Sequence, residues 1–325
     1  MNTGSMPTRR SVIAAAGAVA LAGCAKTQKS GDARQAVESY VSIVRQPAYT
    51  QDLYETVRRL LADQRLDVRG KRVVLKPNLV EFESGSVINT NPMLVHAAME
   101  SFKAMGAASV RIAEGPGHRR GTLDLADAAG YFEMIPGFEN LFTDLNLDDV
   151  SLVKFADPVS RLRGLYLPHT ALSCDLLVSM PKMKTHHWAV ATLSMKNLFG
   201  VVPGGVYGWP KNVLHWAGIA QCITDINRVL PRTFAMVDGI VGMEGNGPIQ
   251  GTAVTAGVIV AGKDAAAVDA TCCRIMRIDP SQVEYLQLSR NDAELAEGAI
   301  RQTGESIASV GTPFKLLPQF RSARL

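Results

Sequence analysis

Residues 176–187 read LLVSMPKMKTHH, and in this stretch a short apolar run passes directly into lysines and histidines. Three other short apolar runs end in the same way, at Lys76, Glu114 and Asp238. Short, continuously apolar runs are typical of strands that are buried on both faces of a parallel sheet. The pattern therefore predicts four such strands, each followed by charged or polar residues.

Helical patterns alternate with these strands. Asn91 and Pro92 are residue types preferred at an N-cap and at the first helical position, and Gly106 marks an end, so a helix is predicted over 93–105. Asp264 is the predicted N-cap of another helix. The full set of predictions comprises strands over 73–75, 109–113, 175–180, 234–237 and 254–260, helices over 51–62, 93–105, 215–230 and 264–276, and a loop over 202–210. This alternation predicts an α/β fold with a mostly parallel sheet flanked by helices.

The polar residues that follow the strands predict one site, because the carboxyl ends of parallel strands share one edge of a sheet and ligands bind there. The candidate catalytic residues, which would move protons, are Glu114, His186 and Asp238. The candidate ligand-binding residues are Lys76, Asn78, Lys182, Lys184, Lys196, Asn197 and Glu244. The lysines suit a small anionic ligand such as a phosphate or a carboxylate, and the acids leave a bound cation open as an alternative.

The adjacent histidines, His186 and His187, offer a general base or a metal ligand. Neighbouring residues normally point in different directions, so we expect only one of the two to act, with His118 and then His215 as the next candidates. The sequence has no H-E-x-x-H motif, and the identity of any metal or cofactor stays open.

The N-terminal residues have the parts of an export signal. Arg9 and Arg10 form a basic region, residues 12–22 form an apolar stretch too short to span a bilayer, and residues 21–24 (LAGC) form a lipobox. The adjacent arginines favour the twin-arginine route. The ordinary secretory route is the alternative, because Val12, two places after Arg10, is smaller than the apolar residue usual at that position. We predict cleavage before Cys24 and lipidation of its thiol; the alternative is a chance cysteine after a secretory signal.

These features predict a signal peptide over 1–23, a lipidated tether over 24–35 and a single large α/β domain over 36–325. A lipid anchor would hold the protein in the cell envelope, on the extracytoplasmic side, with the membrane and the export machinery as partners. The hydrophobic content of 47% and charged content of 20% are those of a globular domain. The formal net charge of +4 is too small to indicate nucleic-acid binding.

The remaining cysteines do not form a cluster motif. Cys174, Cys222, Cys272 and Cys273 lack C-x-x-C spacing, and we expect them to be small buried hydrophobic residues. We therefore expect no iron–sulfur cluster.

Several ordered motifs resemble those of the domain-of-unknown-function family 362. They are Lys76-Pro77-Asn78, Glu114-Gly115, PKMKTH (181–186), SMKNLFG (194–200), Asp238-Gly239-Ile240, EGNGP (244–248) and DAAAVDA (264–270). The resemblance covers roughly residues 72–280 and implies an α/β domain whose biochemical role is largely uncharacterised. Many relatives carry a ferredoxin-like module after this domain, and this chain departs from them because it lacks the cysteines of such a module.

Three functions remain open at this point. The first is an envelope enzyme that acts on a small anionic substrate at the strand ends. The second is an accessory protein that binds a ligand or cofactor without turnover. The third is a structural lipoprotein, which would have no pocket at the strand ends and an exposed apolar patch elsewhere.

Overall fold

The structure, a computed structural model, describes residues 39–289 and 295–325. These residues form a central sheet of 11 strands with helices on both faces. The predicted α/β class with a mostly parallel, helix-flanked sheet is confirmed. The predicted signal peptide, Cys24 and the tether lie outside the described residues.

The strands are β1 (Ser39–Arg45), β2 (Arg72–Pro77), β3 (Ser109–Glu114), β4 (Phe142–Asp144), β5 (Val150–Lys154), β6 (Gly164–Pro168), β7 (Leu176–Met180), β8 (Lys182–His186), β9 (Val190–Thr192), β10 (Thr233–Asn246), β11 (Gln250–Val254), β12 (Val258–Gly262) and β13 (Ile300–Gly304). Strands β5 and β6 form a separate antiparallel pair.

The helices are α1 (Leu53–Asp63), α2 (Pro92–Ala104), α3 (Thr122–Ala128), α4 (Tyr131–Met134), α5 (Phe138–Leu141), α6 (His169–Ser173), α7 (Ser194–Asn197), α8 (Gly204–Tyr207), α9 (Asn212–Ala217), α10 (Ile219–Val229), α11 (Ala265–Ile275), α12 (Glu284–Ser289) and α13 (Ile307–Val310). Short 3-10 helices cover Leu198–Val201, Pro280–Gln282, Glu297–Ala299 and Pro318–Ala323.

The strands that precede the predicted site residues are neighbours in the sheet. The order is β13-β1-β12-β10-β7-β2-β3-β4, and the five strands from β10 to β4 pair in parallel. Strand β12 runs antiparallel to both of its neighbours. The charged residues at the ends of β2 and β3 are therefore brought to one edge of the sheet.

Each face of the sheet has its own hydrophobic core, because successive side chains on a strand point to opposite faces. One core joins Val74 of β2 to residues of α7, α10 and α11. The other joins Val73 and Leu75 of the same strand to residues of α1 and α2. A polar residue at a strand end therefore faces one helical layer or the other.

Both predicted N-caps are confirmed. The side chain of Asn91 accepts a hydrogen bond from the backbone N–H of Met93 at 2.9 Å. The side chain of Asp264 accepts from the backbone N–H groups of Ala266 and Ala267. These caps satisfy backbone donors at the first turn, which have no partner within their own helix.

Four predicted elements differ from the structure. The helix predicted over 215–230 is two helices, α9 and α10, because Gly218 adopts a φ of +105° between them. The strand predicted over 254–260 is also divided, since Gly257 has a φ of +65° between β11 and β12. The loop predicted over 202–210 contains α8, whereas the strand predicted over 234–237 extends to Asn246.

Candidate functional site

A cavity of about 790 Å³ lies at the carboxyl ends of β2, β3 and β8. Most of the side chains predicted from the sequence for the ligand edge line it. These are Lys76, Asn78, Glu114, His186, Lys196 and Asn197, together with the further candidates His118, His187 and His215. The structure shows that these side chains lie together, and the catalytic and ligand-binding roles assigned to them stay predictions.

An ion pair between Lys76 and Glu114 forms the floor of the cavity. The Lys76 Nζ lies 2.7 Å from each carboxylate oxygen of Glu114, and both side chains are buried. The carboxylate also accepts hydrogen bonds from the backbone N–H groups of Leu79 and Gly115. Burial lowers the pKa of Lys76, and the Glu114 charge opposes this effect. The pair thus ties the end of β2 to the end of β3.

Gly200 approaches this ion pair closely. A Cβ atom at this position would lie 2.7 Å from both the Glu114 Oε1 and the Lys76 Nζ. Only glycine permits this contact, and it allows the turn after α7 to cover the pair.

Helix α7 is held in place by buried polar contacts at both ends. At its start, the Asp269 carboxylate accepts hydrogen bonds from the backbone N–H groups of Ser194 and Met195, at 2.7 and 2.9 Å. At its end, the Asn197 Nδ2 donates to the Lys76 carbonyl at 3.0 Å. Burial raises the pKa of Asp269 to about 7, against these hydrogen bonds. Lys196 therefore projects from a fixed backbone.

His186 and His187 have opposite hydrogen-bonding roles in the cavity. The His186 Nδ1 accepts from the backbone N–H groups of Trp188 and Ala189, at 3.0 and 3.2 Å, so the neutral ring carries its proton on Nε2. The His187 Nδ1 lies 2.7 Å from the Gly247 carbonyl and must donate to it, which leaves a lone pair on Nε2. One imidazole therefore offers a donor and its neighbour an acceptor.

The pKa values of two imidazoles on the cavity lining, those of His186 and His215, are lowered. Burial, followed by the charge of Lys196, lowers the pKa of His186 well below its usual range. Burial also lowers the pKa of His215, whose ring contacts the rings of Trp188 and Phe199. His186 is therefore neutral at physiological pH.

Two lysines contribute amines with pKa values near neutrality. Burial lowers the pKa of Lys211 to about 7 and that of Lys196 to about 8. The Lys211 Nζ donates to the Gly115 carbonyl at 2.7 Å and to the Gly200 carbonyl at 3.3 Å. The Lys196 Nζ lies 5.2 Å from the centroid of the Phe199 ring. Both amines can gain or lose a proton near pH 7 to 8.

Two buried polar atoms of residues that line the cavity have no hydrogen-bond partner among residues 39–289 and 295–325. They are the Asn78 Oδ1 and the Thr192 Oγ1. Buried polar groups in folded proteins almost always have a hydrogen-bond partner. Both atoms are shielded from the cavity, so a ligand would reach them only after a local rearrangement.

The Lys182–Asp238 pair, predicted as part of the same site, lies away from this cavity. The Lys182 Nζ is 2.6 Å from the Asp238 carboxylate, which also accepts from the Tyr49 hydroxyl and the Asn91 backbone N–H. Tyr49 precedes α1 and Asn91 caps α2, so this pair faces the opposite helical layer. The alternation of side chains places Lys76 on the face of β2 that Val74 shares and Asp238 on the face of β10 that Met236 and Ile240 share, and these faces belong to different cores.

Lys184 and Glu244 are predicted site residues that do not line the cavity. The Lys184 Nζ donates to the Pro248 carbonyl at 3.3 Å, and burial together with the Lys182 and Lys196 charges lowers the Lys184 pKa well below its usual range. The Glu244 carboxylate accepts from the Lys315 backbone N–H at 2.9 Å. This contact fixes the segment that brings Leu317 to the cavity.

No group of three or more histidine, cysteine or acidic side chains is placed to hold a metal ion within 39–289 and 295–325. The four cysteines in these ranges are buried and unpaired.

The model of the family described as a domain of unknown function, DUF362, matches residues 73–274. The chain belongs to the DUF362 family. The resemblance predicted from the motifs over 72–280 is thereby confirmed. A thylakoid-associated protein of Synechocystis sp. is 28% identical over 243 residues, which cover 70% of this chain and 71% of that protein.

Two solved structures are similar to this chain at low sequence identity. The lactate racemase apoprotein of Thermoanaerobacterium thermosaccharolyticum gives a TM-score of 0.44 at 13% identity, over 74% of this chain and 57% of that one. A protein from Thermotoga maritima gives a TM-score of 0.35 at 12% identity, over 74% of this chain and 58% of that one. This DUF362 chain thus spans less than two thirds of either, and neither bears on its activity.

Sequence reasoning missed several cavity residues of this DUF362 chain. Lys211 adopts a φ of +65° after an irregular segment, and no periodic pattern marks it as buried. Thr192 lies in the three-residue strand β9, which is too short to predict. Asp269 was noted only as part of a family motif, although an acid on the apolar face of a helix is a usable signal of a buried polar contact.

The buried ion pair generates a stability prediction. Lys76→Met leaves the Glu114 carboxylate buried without a cation, so we expect the free energy of unfolding in urea to fall by about 3–5 kcal/mol. Lys103→Met is the matched control, because it removes an exposed lysine that pairs with Glu100 on α2, and we expect it to cost less than about 1 kcal/mol. Equal losses in the two variants would contradict the structural role of the pair.

Proposed function

We propose that this protein is an enzyme of the cell envelope that acts on a small anionic substrate in the cavity at the strand ends. The observation that carries the proposal is the charge of the lining. Glu114 is the only acidic residue among the described residues that line the cavity, and Lys76 neutralises it. Lys196, Lys211 and the imidazoles are opposed by no further carboxylate on this lining, which favours a bound anion.

The cavity also has an apolar part. Its lining includes the side chains Leu79, Val80, Phe199, Ile249 and Leu317. Small-molecule sites usually combine apolar walls with a few converging polar groups. We infer a substrate with an anionic group directed at the lysines and a short carbon skeleton against these walls.

The proton-transfer roles follow from the two tautomers. The neutral His186 can donate a hydrogen bond from its Nε2–H to a substrate oxygen without giving up the proton, and the His187 Nε2 lone pair can accept a proton and pass it on. Lys196 can accept a proton as well, since its pKa is lowered to about 8. We assign no step to Asp238, because its carboxylate is occupied by Lys182 and Tyr49 on the other side of the sheet.

A ligand-binding protein without turnover is the second candidate, and one observation favours it. Glu114 accepts hydrogen bonds from Lys76, Leu79 and Gly115 and so is not free to act as a base. Mass spectrometry of ligand released from the natively purified protein separates the two candidates. A mixture of substrate and product supports the enzyme, and a single unchanged compound supports the binding protein.

The proposed location rests on the N-terminal sequence. Arg9 and Arg10, the apolar stretch over 12–22 and Cys24 support export and lipid attachment. Among the helices that the structure describes, none is long and apolar enough to cross a bilayer. The Synechocystis relative is described as thylakoid-associated, which is in keeping with a membrane-attached protein.

The charge of the cavity predicts how anion binding depends on Lys196. Lys196→Met removes a cation from the lining, so we expect the dissociation constant for oxalate, measured by calorimetry at pH 7, to rise roughly 10-fold or more. Lys103→Met serves again as the surface control and should leave the affinity unchanged. In the native chain the affinity should fall between pH 7 and 9, as the Lys196 amine, with its pKa of about 8, loses its charge. Absence of oxalate binding would contradict the proposal.

The location is tested by Cys24→Ala. We expect the native chain to sediment with membranes and to carry the added mass of a diacylglycerol group, because a multiply acylated cysteine attaches stably to a bilayer. The variant should lose that mass and appear in the soluble fraction. An identical mass and distribution of the two proteins would exclude lipid attachment at Cys24.

A further inference from the structure

The buried lysines at this edge of the sheet differ in their partners. Four have an oxygen atom within 3.3 Å of Nζ: Lys76, Lys182, Lys184 and Lys211. In the part of the chain that the structure describes, Lys196 has no hydrogen bond or ion pair to its Nζ, which faces the ring of Phe199 at 5.2 Å. Lys196 is thus the amine left available to a ligand in the cavity.

The surroundings of Lys196 favour its neutral, nucleophilic form. An ammonium group is destabilised when burial removes its water and no acceptor replaces it, although the face of the Phe199 ring offers a cation–π contact that opposes this effect. Burial is the cause that lowers the pKa of Lys196 to about 8. At pH 8 the neutral fraction of such an amine exceeds that of an ordinary lysine roughly 100-fold.

The backbone that carries Lys196 is also fixed. Asp269 holds the start of α7 through Ser194 and Met195, and the Asn227 Nδ2 donates to the Met195 carbonyl at 3.0 Å. A nucleophile on a fixed backbone loses little conformational freedom when it reacts.

We propose that Lys196 forms a Schiff base with the carbonyl group of the substrate, which is then a small carboxylate carrying an aldehyde or a ketone. This inference rests on the proposed anion-binding function and names its substrate class. The apolar wall at Phe199 suits the carbon skeleton, and in its charged form the Lys211 Nζ has a third N–H group for the carboxylate, beyond the two that it donates to carbonyl groups.

The reaction balances without an oxidant or reductant. The Lys196 Nζ lone pair forms a bond to the carbonyl carbon, and the His187 Nε2 carries a proton from that nitrogen to the carbonyl oxygen, which the neutral His186 holds by a hydrogen bond from its Nε2–H. The carbinolamine hydroxyl group then receives the second amine proton by the same route and leaves as water. Amine and carbonyl thus give an imine and one molecule of water.

Borohydride trapping tests this inference with glyoxylate, a small carboxylate that carries an aldehyde. The purified chain is incubated with glyoxylate at pH 8, reduced with borohydride and mapped by peptide mass spectrometry. We expect one reduced adduct, on Lys196, with at least about 10-fold higher occupancy than on the exposed Lys103. Without borohydride the adduct should be lost during the denaturing work-up.

Lys196→Arg is the matched variant, because it keeps the positive charge and cannot form an imine. We expect it to give no adduct in the cavity, and an unfolding transition in urea close to that of the native chain shows that it is folded. Two outcomes in a native chain that binds oxalate would overturn the Schiff base at Lys196 and leave the proposed function standing. They are adducts spread evenly over the surface lysines and an adduct on Lys211. Loss of oxalate binding in the native chain would instead overturn the anion-binding function itself.

Discussion

The buried ion pair between Lys76 and Glu114 is the constraint on which the rest of the site depends. Each charge alone would be costly at this depth, and the pair is tolerated because its hydrogen-bonding capacity is satisfied by Asn197, Leu79 and Gly115. The same contacts connect the ends of β2 and β3 to α7. Loss of one charge would therefore disturb both the sheet edge and the helix that carries Lys196.

Neutralisation of Glu114 also determines the electrostatics of the cavity. With its one acidic residue paired to Lys76, the described lining offers no further carboxylate to Lys196, Lys211 and His186, whose charged forms are unfavourable until an anion enters. This explains why burial lowers the pKa values of Lys196, Lys211 and His186 together. An empty cavity of this kind holds amines close to their neutral form, and an anion stabilises the charged form.

The sequence was sufficient for the fold class and for part of the site. Buried parallel strands and helix caps have local signals, so the sheet and the caps at Asn91 and Asp264 were predictable. The separation of Lys182–Asp238 from Lys76–Glu114 was not, because it depends on which face each strand end presents to the two helical layers. Lys211 was also missed, since its burial results from long-range contacts with the carbonyl groups of Gly115 and Gly200.

We expect an anion to bind in the cavity to amines whose pKa values lie near neutrality. Calorimetric titration with oxalate, in two buffers with different ionisation enthalpies, measures the protons exchanged on binding. At pH 8 the Lys211 amine is largely neutral and the Lys196 amine is partly neutral in the free protein, so we predict net proton uptake when oxalate binds. At pH 6 both amines are already charged, and we predict a much smaller uptake. Oxalate binding at pH 8 without proton uptake would contradict the account.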